Sequence, residues 1–172
     1  NENETDEQKY ILNVLPEQKQ WNYTNGIIYK HYKQNSFQTV VLSRNMLDNN
    51  AFKYTDNDET KPTRLQYKSQ EIENKLRIEN TIRSNDWKIN YGLGAEYVKY
   101  NNRTYNVLNF PGGVNDTIDY KAAIEFLKYG LFTQVSKPFF NNSLTLSAGL
   151  RMDGNTYSKN IQNPLRQFSP RV

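Results

Sequence analysis

From Glu71 to Arg83 the chain alternates between two kinds of position. Glu71, Glu73, Lys75, Arg77, Glu79, Thr81 and Arg83 form one set, and Ile72, Asn74, Leu76, Ile78, Asn80 and Ile82 the other. No charge falls in the second set. Glu, Lys, Arg and Leu are good helix formers. On a helix, however, Ile78 and Ile82 would swing roughly a third of a turn or more away from Ile72 and Leu76. Period two fits every position, so the pattern predicts a strand with two unlike faces. The next segment, WKINYGLGAEYVKY, repeats it. Trp87, Ile89, Tyr91, Leu93, Ala95 and Tyr97 alternate with Lys88, Asn90, Gly92, Gly94 and Glu96. The SND between the two reads as a tight turn. The result is a hairpin with arms of about 13 residues, well above the common strand length of about 5–6, each spanning roughly 40 Å.

The same alternation recurs downstream. In LKYGLFTQVS, Leu127, Tyr129, Leu131, Thr133 and Val135 oppose Lys128, Gly130, Gln134 and Ser136, with Phe132 breaking the polar side. After the short KPFFNN connection, Leu144, Leu146, Ala148, Leu150 and Met152 oppose Ser143, Thr145, Ser147, Gly149, Arg151 and Asp153. Upstream, WNYTNGIIYKHYK and SFQTVVLSRNML form a less regular pair around KQN, and QFSPRV starts a further strand. Short links after Lys33, Arg83 and Ser136 alternate with long polar ones over residues 48–64, 101–120 and 154–166. Short turns at one end and long polar loops at the other are the layout of an up-and-down membrane barrel. Greek-key crossovers of a soluble sandwich would break that rhythm. A short helix over TIDYKAAIEFLK, inside one long link, remains a local alternative. With the short turns at the bottom, Tyr29, Tyr32, Trp87, Phe139 and Phe140 fall near one edge. Trp21, Tyr23, Tyr67, Tyr97 and Tyr100 fall near the other, as two aromatic girdles would.

Composition sharpens this picture. Mean hydropathy is −0.91, which alone suggests disorder, but 13% of the 172 residues are aromatic, including 13 Tyr, and disordered chains are poor in aromatics. The combination suits sheet with much wetted surface. The net charge of +4 is interspersed, without the basic block a nucleic-acid partner would call for. There is no cysteine, hence no disulfide scaffold and no thiolate metal site. No apolar run is long enough for a transmembrane helix, and no signal peptide opens the chain, which reads as a mature chain or an excised piece.

The C-terminal third, FLKYGLFTQVSKPFFNNSLTLSAGLRMDGNTYSKNIQNPLRQFSPRV, resembles the barrel of TonB-dependent outer-membrane receptors of the Bacteroidetes type, SusC/RagA-like or siderophore-receptor-like. The pieces that carry the resemblance are YGLFTQV, LTLSAGLRMD and FSPRV in that order, with LRIENTIRSNDWKINYGLGAEYVKYNNRTYN similar to the preceding hairpin. The fold class expected is all-β, with long antiparallel meander strands forming a segment of a transmembrane up-and-down β-barrel. The family's barrel has 22 strands around a plug. Residues 1–172 would supply about seven of them as one partial barrel domain, with no plug domain and no TonB-engaging motif in this stretch. The resemblance implies active uptake of a glycan, peptide or metal chelate across the outer membrane of a Gram-negative bacterium. It further implies a TonB–ExbB–ExbD partner acting through the plug, a surface lipoprotein as candidate partner, the lipid bilayer as surroundings, and no cofactor.

On that reading Glu73, Lys75, Arg77, Glu79, Glu96 and Arg151 face the lumen, since a midplane Lys or Arg on lipid costs about 2–4 kcal/mol. Asn74 and Asn80 are blemishes on the lipid face. Gly92, Gly94, Gly130 and Gly149 lie inward, where they ease curvature or admit a plug. Ligand contact is expected from the long loops, through Asn102, Arg103, Tyr105 and Phe110, through Asn155 and Tyr157, and through Phe52 and Tyr54. Tyr and Asn there suit stacking and hydrogen bonding, or simple loop packing. Catalysis is not expected. His31 is the single histidine, Asp119 and Asp153 lack a paired carboxylate, GLGAEY is not followed by a helix, and PGGVND reads as a turn. Two rivals remain: a soluble all-β carbohydrate-binding module, and an outer-membrane barrel without transport.

Overall fold

Strand length is what the alternation most underestimates. The computed structural model describes residues 5–109 and 115–171. A helix α1 (Asp6–Val14) precedes strands β1 (Glu17–Lys33), β2 (Ser36–Tyr54), β3 (Thr63–Ser84), β4 (Trp87–Asn109), β5 (Asn115–Phe139), β6 (Leu144–Asn155) and β7 (Phe168–Arg171). The seven strands form one sheet in the order β1-β2-β3-β4-β5-β6-β7, an antiparallel meander where its register is defined. This is the all-β meander expected from the alternation.

The β3 and β4 arms are 22 and 23 residues long rather than about 13. The links shrink accordingly. Between β2 and β3 only Thr55–Pro62 lies outside strands, and β4 and β5 run through most of 101–120. TIDYKAAIEFLK is strand throughout, within β5, so the helical alternative does not stand. Along it Thr117, Asp119, Lys121 and Glu125 alternate with Ile118, Tyr120, Ala122, Ile124 and Phe126, a period of two that reverses sides at Leu127 and Lys128.

Turns form where the chain can accept a left-handed backbone. Asn85 and Asp86 have φ of 46° and 69°, the two positive values a type I′ hairpin needs. Phe140, Asn141 and Asn142, with φ of 53°, 52° and 69°, close the next hairpin, and the Ser143 amide donates to the Phe140 carbonyl at 3.1 Å. At the other hairpin ends Thr55–Pro62 is tied to itself. The Thr55 amide and hydroxyl both donate to the Pro62 carbonyl at 3.1 Å.

Helix α1 carries a capping signature. Thr5 accepts from the Gln8 amide at 3.3 Å, with Asp6 and Glu7 in the first turn, which places acceptors and negative charge at the positive helix end.

The strands contribute to two compact units: one of residues 1–23, 46–71 and 99–124, the other of 24–45, 72–98 and 125–172. A single sheet has no second layer to cover it, and the burial shows this. Among the described residues Met46 is the buried hydrophobic, joined by the polar Thr39, Ser69 and Thr81. In the second unit Leu131 is 52% exposed and Ile27 72%. Soluble sheets bury such residues against a partner layer; here the whole apolar face is open.

Candidate functional site

The second unit presents two faces of opposite character, fixed by the register between β5 and β6. Leu131 pairs with Met152, Thr133 with Leu150, Val135 with Ala148 and Phe139 with Leu144, so the apolar positions of both strands share a face. β7 extends it, with Pro170 opposite Leu150 and Phe168 opposite Met152. On the other face Gly130 meets Asp153, Phe132 meets Arg151, and Ser136 meets Ser147, whose hydroxyls lie 2.9 Å apart.

On that polar face a ladder of side chains crosses four strands. Asn45 on β2 donates to Glu73 on β3 at 3.4 Å. Lys75 stands 2.6 Å from Glu73 and 3.7 Å from Glu96 on β4. Glu96 in turn accepts from Lys128 on β5 at 2.7 Å. Each carboxylate thus sits beside an ammonium, the arrangement in which cross-strand charges stabilise rather than repel. Arg77 and Glu79 pair at 3.3 Å. Arg151 holds Asp153 through two bonds of 2.7 and 3.0 Å. Asp153 thus has its counter-charge two residues back on its own strand, the spacing that keeps both on one side.

These residues surround an open groove of about 880 Å³. Lys75, Arg77, Glu79, Glu96 and Arg151 all line it, and Glu73 is held to it through Lys75. The six residues expected to share a face therefore come together. Lys128 and Asn45, members of the ladder, are not singled out by the sequence, because only cross-strand register brings them in.

Two anomalies of the polar face explain each other. A Cβ on Gly92 would lie 2.8 Å from the Phe132 ring and 2.5 Å from the Ile78 carbonyl. The ring of Phe132, the aromatic that breaks the polar side of β5, covers the gap left by Gly92 on the adjacent strand. Gly130 likewise leaves room for the Asp153 carboxylate. These two glycines are occupied by neighbouring side chains.

The polar blemishes of the apolar face are paired as well. Asn80 donates to the Tyr91 hydroxyl at 2.6 Å, and Asn74 accepts from Arg44 at 3.3 Å. Tyr97 donates to Glu125 at 2.7 Å.

In the other unit, Tyr67 and Tyr100 lie with their hydroxyls 3.3 Å apart, and Asn102 donates to Tyr100 at 2.9 Å and accepts from Thr104 at 2.9 Å. Both rings are on the polar side of their strands, so neither belongs to an outward girdle as the aromatic count had it. Both rings are half-buried, and their hydroxyls find partners there.

The expected loop contacts are placed differently. Asn102, Arg103 and Tyr105 are not in a loop but in β4, because backbone pairing continues where the hydrophobic signal ends. Alternation puts Asn102 on the side of Tyr100, and Arg103 and Tyr105 on the opposite side. Phe52 and Tyr54 likewise lie in β2, edge to face at 5.9 Å. Asn155 ends β6, and its side chain accepts from the Tyr157 and Ser158 amides at 3.1 and 3.2 Å. Tyr157 sits beyond β6, exposed, its ring 5.4 Å from Phe126. Phe110 lies outside the described residues.

Two titrating groups of the Thr55–Pro62 connection are shifted. Asp58 accepts from the Thr60 hydroxyl at 2.7 Å and its amide at 3.0 Å, and those bonds hold its carboxyl below the usual range. Lys61 is raised by its hydrogen bond to Asp56 at 2.7 Å. Among the described residues no group of three or more His, Cys, Asp or Glu is placed to hold a metal, and no helix is long and apolar enough to cross a membrane, which leaves crossing by strands open.

In the second unit a charged, grooved face backs onto an exposed, largely apolar one, the pattern expected of a barrel wall between water and lipid. No curated protein and no solved structure shows significant similarity to the chain. A family model described as TonB dependent receptor-like, beta-barrel matches residues 2–172. That family consists of transporters of the Gram-negative outer membrane that work with TonB–ExbB–ExbD. With that match over nearly its whole length, the chain belongs to the TonB-dependent receptor-like β-barrel family.

Proposed function

We propose that these seven strands are part of the barrel wall of an outer-membrane transporter that takes up a nutrient, a glycan, peptide or metal chelate, with energy from TonB–ExbB–ExbD. The observation that carries the reading is the ladder Asn45–Glu73–Lys75–Glu96–Lys128, which crosses four strands on one side of a sheet whose other side bears uncharged, exposed Leu131, Leu146 and Leu150. Lysines at the middle of the lipid side would each cost about 2–4 kcal/mol and carboxylates less, whereas in a hydrated lumen they pair at little cost. The long β1 stands at one edge of the sheet, and closure with further strands removes such an edge. The finer assignment is to a SusC/RagA-like or siderophore-receptor-like importer with a surface lipoprotein partner. It rests on the YGLFTQV, LTLSAGLRMD and FSPRV segments.

A soluble carbohydrate-binding sandwich is disfavoured by the uncrossed strand order. A barrel without transport shares every feature described above, so the test is functional. The full-length receptor is fractionated from cells, its heat-modifiable gel mobility is read, and uptake of candidate glycans, peptides and metal chelates is compared with and without TonB. Outer-membrane recovery with TonB-dependent uptake is expected. A heat-shifted outer-membrane barrel with no TonB-dependent uptake would leave the non-transporting reading, and a soluble monomer would overturn both.

A further inference from the structure

At the short-turn end of the second unit, the polar face carries two cations that no carboxylate answers. The Asn85–Asp86 turn is two residues long and joins Ser84 to Trp87, which sets Arg83 on β3 directly across from Lys88 on β4. Both belong to the polar sets of their strands, and both are exposed. They line a hollow of about 570 Å³ bordered by three turns, with Asn35 from the β1–β2 turn, Asp86 from the β3–β4 turn and Asn142 from the β5–β6 turn. The first of these is tied to β3, since the Arg83 amide donates to the Asn35 carbonyl at 2.7 Å. Ser136 and Thr145 add hydroxyls to the same hollow.

Elsewhere on this face Glu73, Glu79, Glu96 and Asp153 each lie 3.3 Å or less from a cation. The Arg83 and Lys88 side chains have no hydrogen-bond or ion-pair partner among the described residues. Asp86, the carboxylate that lines the hollow, makes no ion pair among them either; it sits in the turn with φ of 69° and is exposed. Like charges directly opposite each other destabilise a strand pair. An anion between Arg83 and Lys88 turns that repulsion into attraction.

We propose that Arg83 and Lys88 form a docking point for a carboxylate of an acidic polypeptide segment, supplied by the receptor's own chain outside residues 1–172. Charge complementarity identifies the occupant's sign, with the Arg fork and the Lys ammonium converging on one carboxylate. The surroundings identify its kind. Asn35, Asn142, Ser136 and Thr145 offer amides and hydroxyls that exchange hydrogen bonds with a peptide backbone, in a volume far beyond that of a lone inorganic ion. The hollow is on the polar side of the sheet, away from the exposed Leu131, Leu146 and Leu150, so a lipid headgroup does not reach it. This inference rests on the barrel-wall reading above.

The full-length receptor, purified as the heat-shifted barrel, is treated with a carbodiimide. The reagent joins an amine to a carboxylate in contact with it as an amide and takes up the water lost, becoming a urea. Peptide mass spectrometry then finds the partner of Lys88, expected to be an Asp or Glu of the same chain outside residues 1–172. Arg83→Gln should lower the yield roughly two- to fivefold at low ionic strength and less in high salt, while Arg83→Lys should retain it. Lys88→Arg keeps the charge and removes the amine, so the crosslink should vanish from a barrel that still shows its heat shift. If Arg83→Gln does not fold, the salt dependence of the parent crosslink is read in its place. Lys88 joined to nothing, or only to Asp86 or another carboxylate of residues 1–172, overturns the docking point while leaving the barrel intact. So does a crosslink found only to a separate protein, or one suppressed by equimolar inorganic phosphate. A parent protein that shows no heat shift overturns instead the barrel-wall reading on which the docking point depends.

Discussion

Replacing Leu93 by Arg puts a charge near the middle of the proposed lipid face. Ten residues separate Trp87 from Tyr97 on the apolar side of β4, about 33 Å along the strand. At a tilt near 40° this projects to about 25 Å, the height of the apolar band of an outer-membrane barrel. Leu93 lies six residues from Trp87, so it falls close to mid-band, and it is 47% exposed on the bare sheet. The substitution creates no clash in protein, and its cost comes from lipid alone. That cost is about 2–4 kcal/mol, roughly 30- to 1000-fold in the folded-to-unfolded ratio. The assay is urea unfolding of the full-length receptor in bilayers, with Asn101→Arg on the same side of the same strand as reference. Asn101 lies four residues past Tyr97, where an added Arg should cost about 0–1 kcal/mol. Equal costs for the two substitutions would refute the assignment of this face to lipid.

Three further outcomes follow from particular contacts. Glu96→Gln removes the charge standing between Lys75 and Lys128 and should lose about 1 kcal/mol at low ionic strength, a loss that shrinks in high salt; urea midpoints at two salt concentrations read it. Gly92→Val drives side-chain atoms into the Phe132 ring and the Ile78 carbonyl and should cost about 1–3 kcal/mol, and Phe132→Ala in the same chain should recover part of that by the same titration. Asp58, held below its ordinary value by Thr60, favours the folded loop above the unfolded carboxylate value of about 4. That contribution fades as pH falls through the lower folded value, so hydrogen exchange at the Thr60 amide, corrected for intrinsic rate, should lose protection in acid and not between pH 5 and 8.

The alternation between Glu71 and Arg83 and in WKINYGLGAEYVKY was enough to read strands, faces and the SND turn, because lipid on one side and water on the other impose a two-residue period. The same reasoning misplaced the strand ends. Past Ile72 on β3 and Tyr97 on β4 both sides turn polar, the contrast fades, and Arg64 and residues 101–105 read as loop although the strands continue. Arg103 and Tyr105 were assigned to a loop for that reason. The charged residues Glu73, Lys75, Arg77, Glu79, Glu96 and Arg151 were legible from parity alone, as was Asp153 beside Arg151, but the partners Asn45 and Lys128 needed register, which no local pattern carries. Helix α1 left a readable signal in Thr5 followed three residues later by Gln8, lost in a segment dominated by polar residues. Phe132 breaks the polar side of β5 because its ring covers Gly92 on the adjacent strand, a pairing that alternation along one strand does not carry.

The central claim is that one face of this sheet meets lipid and the other water. These 172 residues hold no cysteine, so single Cys probes go in at Leu93 and Leu131 on one face and at Lys88 and Gln134 on the other, each labelled with a fluorophore in a full-length receptor cleared of any other cysteine, in bilayers. Quenchers attached to lipid tails should dim the first pair and leave the second bright, while iodide should do the reverse. Equal quenching of all four positions by iodide, with no effect of the lipid quencher, would contradict the account.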